Sequence, residues 1–470
     1  MNFRTLPVKN RPVLGVGAAA AIFWVLEICV GLAATSQTAY AIPAFARKYN
    51  LPCSACHEAW PKLNNFGQVF RDNGYQLGNG KDSPIWQNPT YWPITFRITP
   101  QWHRDSSSNQ KVDSIPGDPT SPAAEKTITS HGFDLSGVDI WTAGTLYRNI
   151  SFSVLPSSDS TASFHFENAW VRFDNLMGSR WANLKFGKFE LDNMISEKRM
   201  LFLSANGGLY QLYHFLPARE AAFVNSGVNP LNPGFGLGDN QLGVELAGHS
   251  SNSYTRYSLA LLSSNDGNVS VPNSSYDGFM SVSQALEVGA LGLQRVGAYA
   301  YFGQRPTAFN TSGGTPITGA GSKGKSFYRA GLNADFYAGP LDFSLLFLHG
   351  WENAFLGAGT PGNVVLPAGA QAPTWNGGFV ETHYTYNPKL IFVQRNEFVR
   401  MSRQPFASDP SDFGNLDAYS FGARWYPIMF SRAGLAWHSE YAIVKSVKTS
   451  QVFGRDVWSS SLFFGLDFDF

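Results

Sequence analysis

The residues Cys53-Ser54-Ala55-Cys56-His57 carry the most specific chemistry in this chain. Two thiols separated by two residues can add across the two vinyl groups of one haem, and the histidine that follows is then held close enough to bind the iron. We therefore predict one covalent c-type haem. Cys53 and Cys56 would be its thioether attachments, and His57 would be the proximal iron ligand.

A zinc half-site and a redox dithiol use the same Cys-x-x-Cys spacing. Zinc would need further Cys or His ligands at matching spacing, and none is evident nearby in the sequence. A thioredoxin-like dithiol would lie in a βαβ pattern, and none follows. Haem attachment is therefore favoured over both alternatives.

A sixth iron ligand is expected, because six-coordinate low-spin iron reorganises little on electron transfer. We predict Met194 or Met200 in this role, since methionine raises the haem potential relative to histidine. His214, from the same long segment of the chain, is an alternative. His103 and His165 are further alternatives from the wall around the haem.

The first 41 residues have the features of a secretory signal. A basic start is followed by an apolar run over 13–26, and Ala39-Tyr40-Ala41 is a small-x-small cleavage site. Glu27 ends the apolar run below the ~20 residues that a membrane-spanning helix needs. We predict that residues 1–41 are a signal peptide, and that two of the three cysteines remain after its removal.

The rest of the chain has the composition of a transmembrane β-barrel. Charged residues make up 15% of the chain, against roughly 25% in soluble domains. From about residue 92 onward, short segments alternate with a period of two, as in Tyr419, Phe421, Ala423 and Trp425. Such alternation places one face of a strand in lipid and the other in a polar lumen. The net charge of +1 predicts no nucleic-acid partner.

The final segment also alternates and ends on Phe470, which resembles the C-terminal signal of bacterial outer-membrane barrels. The gaps between segments alternate between long and short, as loops and turns do in such barrels. We predict an all-β fold, a porin-like antiparallel transmembrane barrel of about sixteen strands over residues 91–470. Fourteen or eighteen strands also fit. The predicted strands are 92–103, 133–147, 149–156, 162–174, 181–189, 240–248, 254–263, 277–286, 291–303, 327–337, 341–349, 376–386, 389–400, 418–427, 432–445 and 456–470.

The longest gap between predicted strands covers residues 190–239. It is rich in Leu, Phe and Gly rather than in charge, so we predict that it folds into the lumen. Four arginines on the predicted strands could pair with haem propionates: Arg97, Arg256, Arg329 and Arg424.

Residues 42–90 are too few for an ordinary cytochrome domain that wraps its haem. The stretch 58–75 could form one or two short helices, with Trp60, Leu63, Phe66, Val69, Phe70 and Tyr75 packed on the porphyrin. The apolar band of a barrel is about 25 Å tall, a long distance for one electron to tunnel. One haem can bridge it only from inside the lumen, so we predict that residues 42–90 plug the periplasmic mouth.

The stretch FARKYNLPCSACHEAWPKLNNFGQVFRDNGYQL, residues 45–77, lies directly ahead of the predicted barrel. In this arrangement the chain resembles the outer-membrane monohaem cytochrome–porin fusions of iron-oxidising and related bacteria. The resemblance implies electron transfer from an extracellular donor, such as Fe(II), to a periplasmic c-type cytochrome or cupredoxin. It implies Cys53, Cys56 and His57 as the haem-binding residues and no chemistry on an organic substrate.

A haem-plugged diffusion porin is the alternative function. In that case the iron would serve sensing or peroxide defence, and passage of solutes would be the main task. Both functions place the chain in the bacterial outer membrane.

Overall fold

A computed structural model of the chain describes residues 43–59, 62–78, 82, 84, 93–158, 163–193, 240–263, 276–305, 308–310, 316–318, 325–352, 374–401, 415–429, 434–447 and 454–469. The predicted signal peptide, Phe470 and most of the long 190–239 segment lie outside these residues. Met194, Met200 and His214 lie outside them as well. Within these ranges, no helix is long and apolar enough to cross a membrane.

The part of the chain ahead of the barrel, residues 43–78, is called here the leading segment. Its described elements are helices α1 (Pro43–Tyr49), α2 (Cys53–Cys56) and α3 (Asn65–Asp72) and the paired strands β1 (His57–Ala59) and β2 (Lys62–Leu63). One or two helices were predicted for 58–75, and α3 is such a helix. The β1–β2 hairpin and α1 were not predicted.

Sixteen strands then form one closed antiparallel barrel in which neighbours along the chain are neighbours in the sheet, and β20 pairs with β3 to close it. The barrel strands are β3 (Ile94–Asp113), β4 (Ala123–Tyr147), β5 (Ile150–Ser158), β6 (Phe164–Phe173), β7 (Asn183–Glu190), β8 (Asn240–His249), β9 (Thr255–Ser263), β10 (Tyr276–Glu287), β11 (Leu293–Arg305), β14 (Lys325–Ala338), β15 (Leu341–Glu352), β16 (Thr374–Asn387), β17 (Leu390–Met401), β18 (Leu416–Met429), β19 (Gly434–Ser446) and β20 (Val457–Asp469). A separate small hairpin consists of β12 (Ala308–Asn310) and β13 (Pro316–Thr318). The predicted all-β barrel of about sixteen strands is confirmed.

The period of two places apolar side chains on the outer face of the barrel. On β9, β11 and β18, the exposed side chains of Leu261, Phe302 and Phe421 alternate with buried positions. A closed barrel pairs all backbone groups between strands, which lipid requires of any spanning sheet. An even number of antiparallel strands with an apolar outer face is the architecture of outer-membrane barrels. The chain is therefore an outer-membrane protein.

The first hairpin differs from the prediction. β3 was predicted to end at 103 and β4 to begin at 133, but the two strands stay paired as far as Asp113 and Ala123. The added residues are mostly Ser, Thr, Asn, Gln and charged side chains. They carry no apolar alternation because this hairpin extends beyond the part of the wall that faces lipid.

Short connections lie at one end of the barrel. β14 and β15 are joined by Gly339-Pro340, and Gly339 has the positive φ of 63° that a tight turn requires. β4 and β5 are also joined by two residues. In outer-membrane barrels the short turns are periplasmic, so this end is the periplasmic end.

The leading segment contacts the lumen wall near these turns. Gln76 Nε2 donates to the carbonyl oxygen of Arg148 in the β4–β5 turn, at 2.7 Å. Asn65 Nδ2 donates to Asn252 O, beyond the end of β8, at 3.3 Å. The segment and the barrel therefore fold as one structural unit.

Candidate functional site

Helix α2 consists of one turn that begins at Cys53 and ends at Cys56. Positions three apart in a helix share a face, which suits two attachments to one ring. His57 follows at once and pairs with Leu63 across the β1–β2 hairpin. The hairpin thereby returns the chain toward α2, and α3 begins beside it.

Asn64 connects α3 to the Cys-x-x-Cys-His motif. Its Oδ1 accepts from Gly67 N at 2.9 Å, which caps α3. Its Nδ2 donates to Ala55 O at 3.0 Å, so one side chain stabilises both helices. Asn64 was not predicted as a site residue, although an Asn directly before a helical stretch is a normal N-cap signal.

Gly67 allows α3 to approach α2 closely. A Cβ atom at this position would lie 2.1 Å from Cys56 O and 2.9 Å from Leu63 Cδ2. The nearest atom belongs to the backbone of Cys56 and cannot turn aside as a side chain could, so a larger residue would push the two helices apart. Gly67 therefore sets the position of Cys56 relative to α3.

A cavity lies between the leading segment and the barrel wall. It encloses about 1530 Å³ of empty space, part of which is open to solvent, and Cys56 and His57 form part of its wall. Aromatic and apolar side chains dominate the lining: Phe45, Tyr49, Leu63, Phe70 and Tyr75 from the leading segment, and Trp141, Trp170 and Phe189 from the barrel.

The aromatic rings of the two sides are in direct contact. Phe45 stacks on Tyr75 with ring centroids 4.9 Å apart, and its edge meets Trp141 at 5.5 Å. Tyr75 in turn stacks on Trp170 at 6.3 Å. Of the residues predicted to pack on the porphyrin, Leu63, Phe70 and Tyr75 line the cavity. Phe66 is 43% exposed instead, and Trp60 lies outside the described residues.

The lining also contains polar and charged side chains. On β3, Arg97 Nε lies 3.2 Å from Asp469 Oδ1, and its Nη1 lies 3.6 Å from Asp139 Oδ2. Thr95, two positions earlier on the same strand, has a buried hydroxyl with no hydrogen-bond partner among the described residues. Lys185 pairs with Glu245 on the other side of the cavity.

The four arginines predicted as propionate partners fall into different environments. Arg97 lines the cavity. Arg256 pairs with Asp72, and Arg424 pairs with Asp467. The guanidinium of Arg329 lies over the ring of Phe327, at 5.2 Å, and over that of Trp375. Among the described lining residues, Arg97 is thus the one member of this set that reaches the cavity.

The second iron ligand stays a prediction for Met194 and Met200, because both lie outside the described residues, as His214 does. His103 pairs with Asp105 at 2.7 Å, and His165 is solvent-exposed. Neither of them lines the cavity. Among the described residues that line it, His57 is the one histidine. These ranges also contain no group of three or more His, Cys, Asp or Glu side chains arranged to hold a metal ion.

An ion-pair group around Asp72, at the end of α3, fixes one side of the leading segment. Arg256 of β9 donates to both carboxylate oxygens of Asp72, from Nε at 2.8 Å and from Nη2 at 3.1 Å. Burial alone would raise the pKa of Asp72, but the charge and hydrogen bonds of Arg256 outweigh it and lower the pKa to about 2. Arg172 of β6 donates to the carbonyl oxygens of Arg71 and Asp72, each at 3.0 Å.

A second ion-pair group, around Lys62, fixes the segment to the opposite wall. Lys62 Nζ lies 3.0 Å from Glu58 Oε2 and 3.0 Å from Asp342 Oδ1 of β15. Tyr337 of β14 donates to Glu58 Oε1 at 2.6 Å, and His383 Nδ1 lies 2.6 Å from Asp342 Oδ1. Burial lowers the pKa of Lys62, but the neighbouring carboxylates more than compensate, and the pKa lies well above its usual value.

The thiol of Cys56 is partly buried and forms no disulfide. Burial raises its pKa to about 11. A neutral sulfur is therefore the favoured form in this environment, and a thioether is neutral at every pH.

Comparison with known proteins identifies no family: no family model and no curated protein matches the chain. OmpT of Vibrio cholerae has a similar structure, with 8% identity and a TM-score of 0.45 over 80% of this chain and 97% of that chain. The outer-membrane channel DcaP of Acinetobacter baumannii has 8% identity and a TM-score of 0.46, over 80% and 97%. An anion-selective porin from Comamonas acidovorans has 10% identity and a TM-score of 0.45, over 80% and 99%.

Proposed function

We propose that the chain transfers electrons across the outer membrane through one covalent c-type haem. The observation that carries this proposal is the position of Cys56 and His57 on the wall of a large, aromatic-lined cavity. A Cys-x-x-Cys-His motif on a solvent-exposed tail would give no such enclosure. The donor would be extracellular, such as Fe(II), and the acceptor a periplasmic c-type cytochrome or cupredoxin.

The residues present fit a haem in this cavity. Cys53 and Cys56 would tether it, and His57 would bind its iron from one side. When bound, the haem supplies one-electron redox chemistry whose potential depends on the axial ligands and on burial. Phe45, Tyr75 and the wall tryptophans would surround the group with apolar surface, and such burial is one of the factors that set its potential.

The position of the cavity in the barrel also supports electron transfer across the membrane. The leading segment lies inside the lumen at the periplasmic end, within reach of a soluble periplasmic partner. A sixteen-strand barrel without such a segment would leave an aqueous channel. In the proposed function the segment would close the pore and hold the redox site within the membrane at the same time.

Titration of the purified protein with Fe(II) tests this function. We expect rapid reduction, seen as growth of the haem α band and a shift of the Soret band. The reduced protein should then be reoxidised by a periplasmic cytochrome c of higher potential. Absence of any haem from protein matured with a working attachment apparatus would overturn the proposal.

A haem-plugged diffusion porin is the second candidate, and a second cavity favours it. This cavity, about 900 Å³ including open solvent, lies between the leading segment and β11 and β14. Its lining includes the buried charged side chains of Lys62, Arg295 and Asp335, which suit water and small polar solutes. High conductance in planar bilayers together with a haem inert to Fe(II) would favour this function over the first.

A further inference from the structure

Three hydrogen-bonding side chains on consecutive strands form a relay in the wall of the haem cavity. Trp141 of β4 donates from Nε1 to Ser153 Oγ of β5 at 3.0 Å. Ser153 Oγ donates to Asn168 Oδ1 of β6 at 2.9 Å. All three residues line the cavity, and Ser153 and Asn168 are buried.

The structure shows one orientation of this relay. An indole N–H can only donate, whereas a serine hydroxyl has one hydrogen to donate and can also accept. Ser153 accepts from Trp141 and donates to the Asn168 oxygen. This arrangement uses the Ser153 hydrogen and therefore favours this orientation of the Asn168 amide.

This orientation turns the NH2 group of Asn168 away from Ser153. Among the described residues Nδ2 has no hydrogen-bond partner, while the oxygen of the same amide is engaged. The neighbouring lining is aromatic, with Trp170 two positions along the strand. Nδ2 is not among the fully buried atoms without a partner and is therefore open to the cavity, where an acceptor on the bound molecule could take its hydrogen bond.

We propose that the Asn168 amide donates a hydrogen bond to an acceptor oxygen of the molecule bound in the cavity. Trp141 and Ser153 are positioning residues that hold this amide in its donating orientation. The inference rests on the proposed function for the identity of that molecule, a porphyrin. Two groups could supply the oxygen: a porphyrin carboxylate or a small ligand on the iron.

Porphyrin binding without iron tests the carboxylate. The full-length chain carrying Cys53→Ala and Cys56→Ala would be titrated with metal-free protoporphyrin IX and with its dimethyl ester, following quenching of tryptophan fluorescence. We expect Asn168→Leu to weaken binding of the diacid about tenfold or more and to leave binding of the ester unchanged. Ser153→Ala and Trp141→Phe should act in the same direction, because both release the amide to turn over.

Ser151→Ala is the matched control. Ser151 is a buried serine two positions before Ser153 on β5, and it does not line the cavity. Its removal should change neither porphyrin's affinity. Circular dichroism in detergent would verify that each variant keeps its barrel.

The haem-loaded protein distinguishes the two sources of oxygen. Asn168→Leu and Ser153→Ala could each leave both porphyrin affinities unchanged but shift the C–O stretching frequency of the reduced protein under carbon monoxide. In that case the acceptor is a ligand on the iron. If neither measurement responds to these variants, the inference is wrong although the haem site stands. If the parent chain binds neither porphyrin, the proposed haem cavity fails, and this inference fails with it.

Discussion

The two sides of the leading segment meet the barrel in opposite ways. Toward β4–β7, aromatic rings such as Phe45 and Trp141 are in contact with each other and line a large cavity. Toward β9 and β14–β16, buried ion pairs of Asp72 and Lys62 hold the segment, beside a smaller cavity lined mostly by polar side chains. The contrast indicates a division of tasks, in which the charged contacts fix the segment and leave the aromatic side open for a ligand.

This division has an energetic basis. Apolar contacts around an incomplete cavity cannot fix a segment of fewer than 50 residues, because part of the apolar surface is left unpacked. Buried ion pairs add little net stability, but removal of one partner costs about 3–5 kcal/mol. They therefore specify one position of the segment strongly, whether or not the cavity is filled.

The largest expected effect comes from removing the haem attachment, which should change the cavity side and leave the charged side intact. Cys53→Ala together with Cys56→Ala should abolish covalent haem, as judged by haem staining after denaturing electrophoresis. Because the ion-pair groups remain, we expect the conductance of single barrels in planar bilayers to stay as low as in the parent protein. A haem-free protein that conducts like an open porin would show that the haem, and not the ion pairs, holds the segment.

Gly67→Ala should damage the cavity side alone. The new Cβ would lie 2.1 Å from Cys56 O, and overpacking of this kind costs about 1–3 kcal/mol or more. We expect a several-fold loss of haem incorporation, measured by the pyridine haemochrome assay per mole of protein. Gly132→Ala is the control, since no atom lies within 4 Å of a Cβ at that position. Equal incorporation in both variants would contradict the role given to Gly67.

Arg256→Gln should loosen the charged side. It leaves Asp72 buried with one partner fewer, at a cost of about 3–5 kcal/mol. Hydrogen exchange followed by mass spectrometry should show faster exchange in α3, and bilayer recordings should show a higher conductance. The control is Arg400→Gln, which breaks an ion pair with Asp417 that is partly exposed; such pairs contribute less than about 1 kcal/mol. Similar results for both variants would mean that the Asp72 group does not hold the segment.

The lipid-facing wall could be predicted well from the sequence, because lipid imposes a period of two on every strand. All sixteen predicted strands have counterparts in the barrel. The prediction was wrong where the wall does not face lipid, as in the hairpin that extends to Asp113. There, hydrogen bonds between polar residues hold the two strands together without an apolar alternation.

The sequence contains the Cys-x-x-Cys-His motif, so this part of the candidate site could be predicted. The barrel wall on the other side of the cavity could not. Trp141, Ser153 and Asn168 lie on three different strands, and only the register of the closed sheet brings them together. The pairing of Asp72 with Arg256 spans 184 residues of sequence. Contacts of this kind follow from barrel geometry, which local patterns do not contain.

The smallest expected effect is a pH dependence of the strength with which the Asp72 ion pairs hold the leading segment. The pKa of Asp72 is about 2 in the folded protein, against about 3.9 in an unfolded chain. The contribution of the ionised Asp72 to the free energy of unfolding, about 2–3 kcal/mol, is therefore fully present above pH ~4 and is lost as the pH falls toward 2. The pKa of Glu58 is shifted upward, by burial above all, so its protonation acts in the opposite sense.

Asp72→Asn isolates this contribution, since the variant lacks the titrating group and keeps Glu58. We expect the conductance of the parent protein to rise between pH 4 and pH 2, and that of the variant to start higher and change less. Parent and variant with identical pH profiles would assign the acid response to other carboxylates. A parent whose conductance stays constant down to pH 2 would show that the Lys62 group alone fixes the segment, and that the two ion-pair groups are redundant.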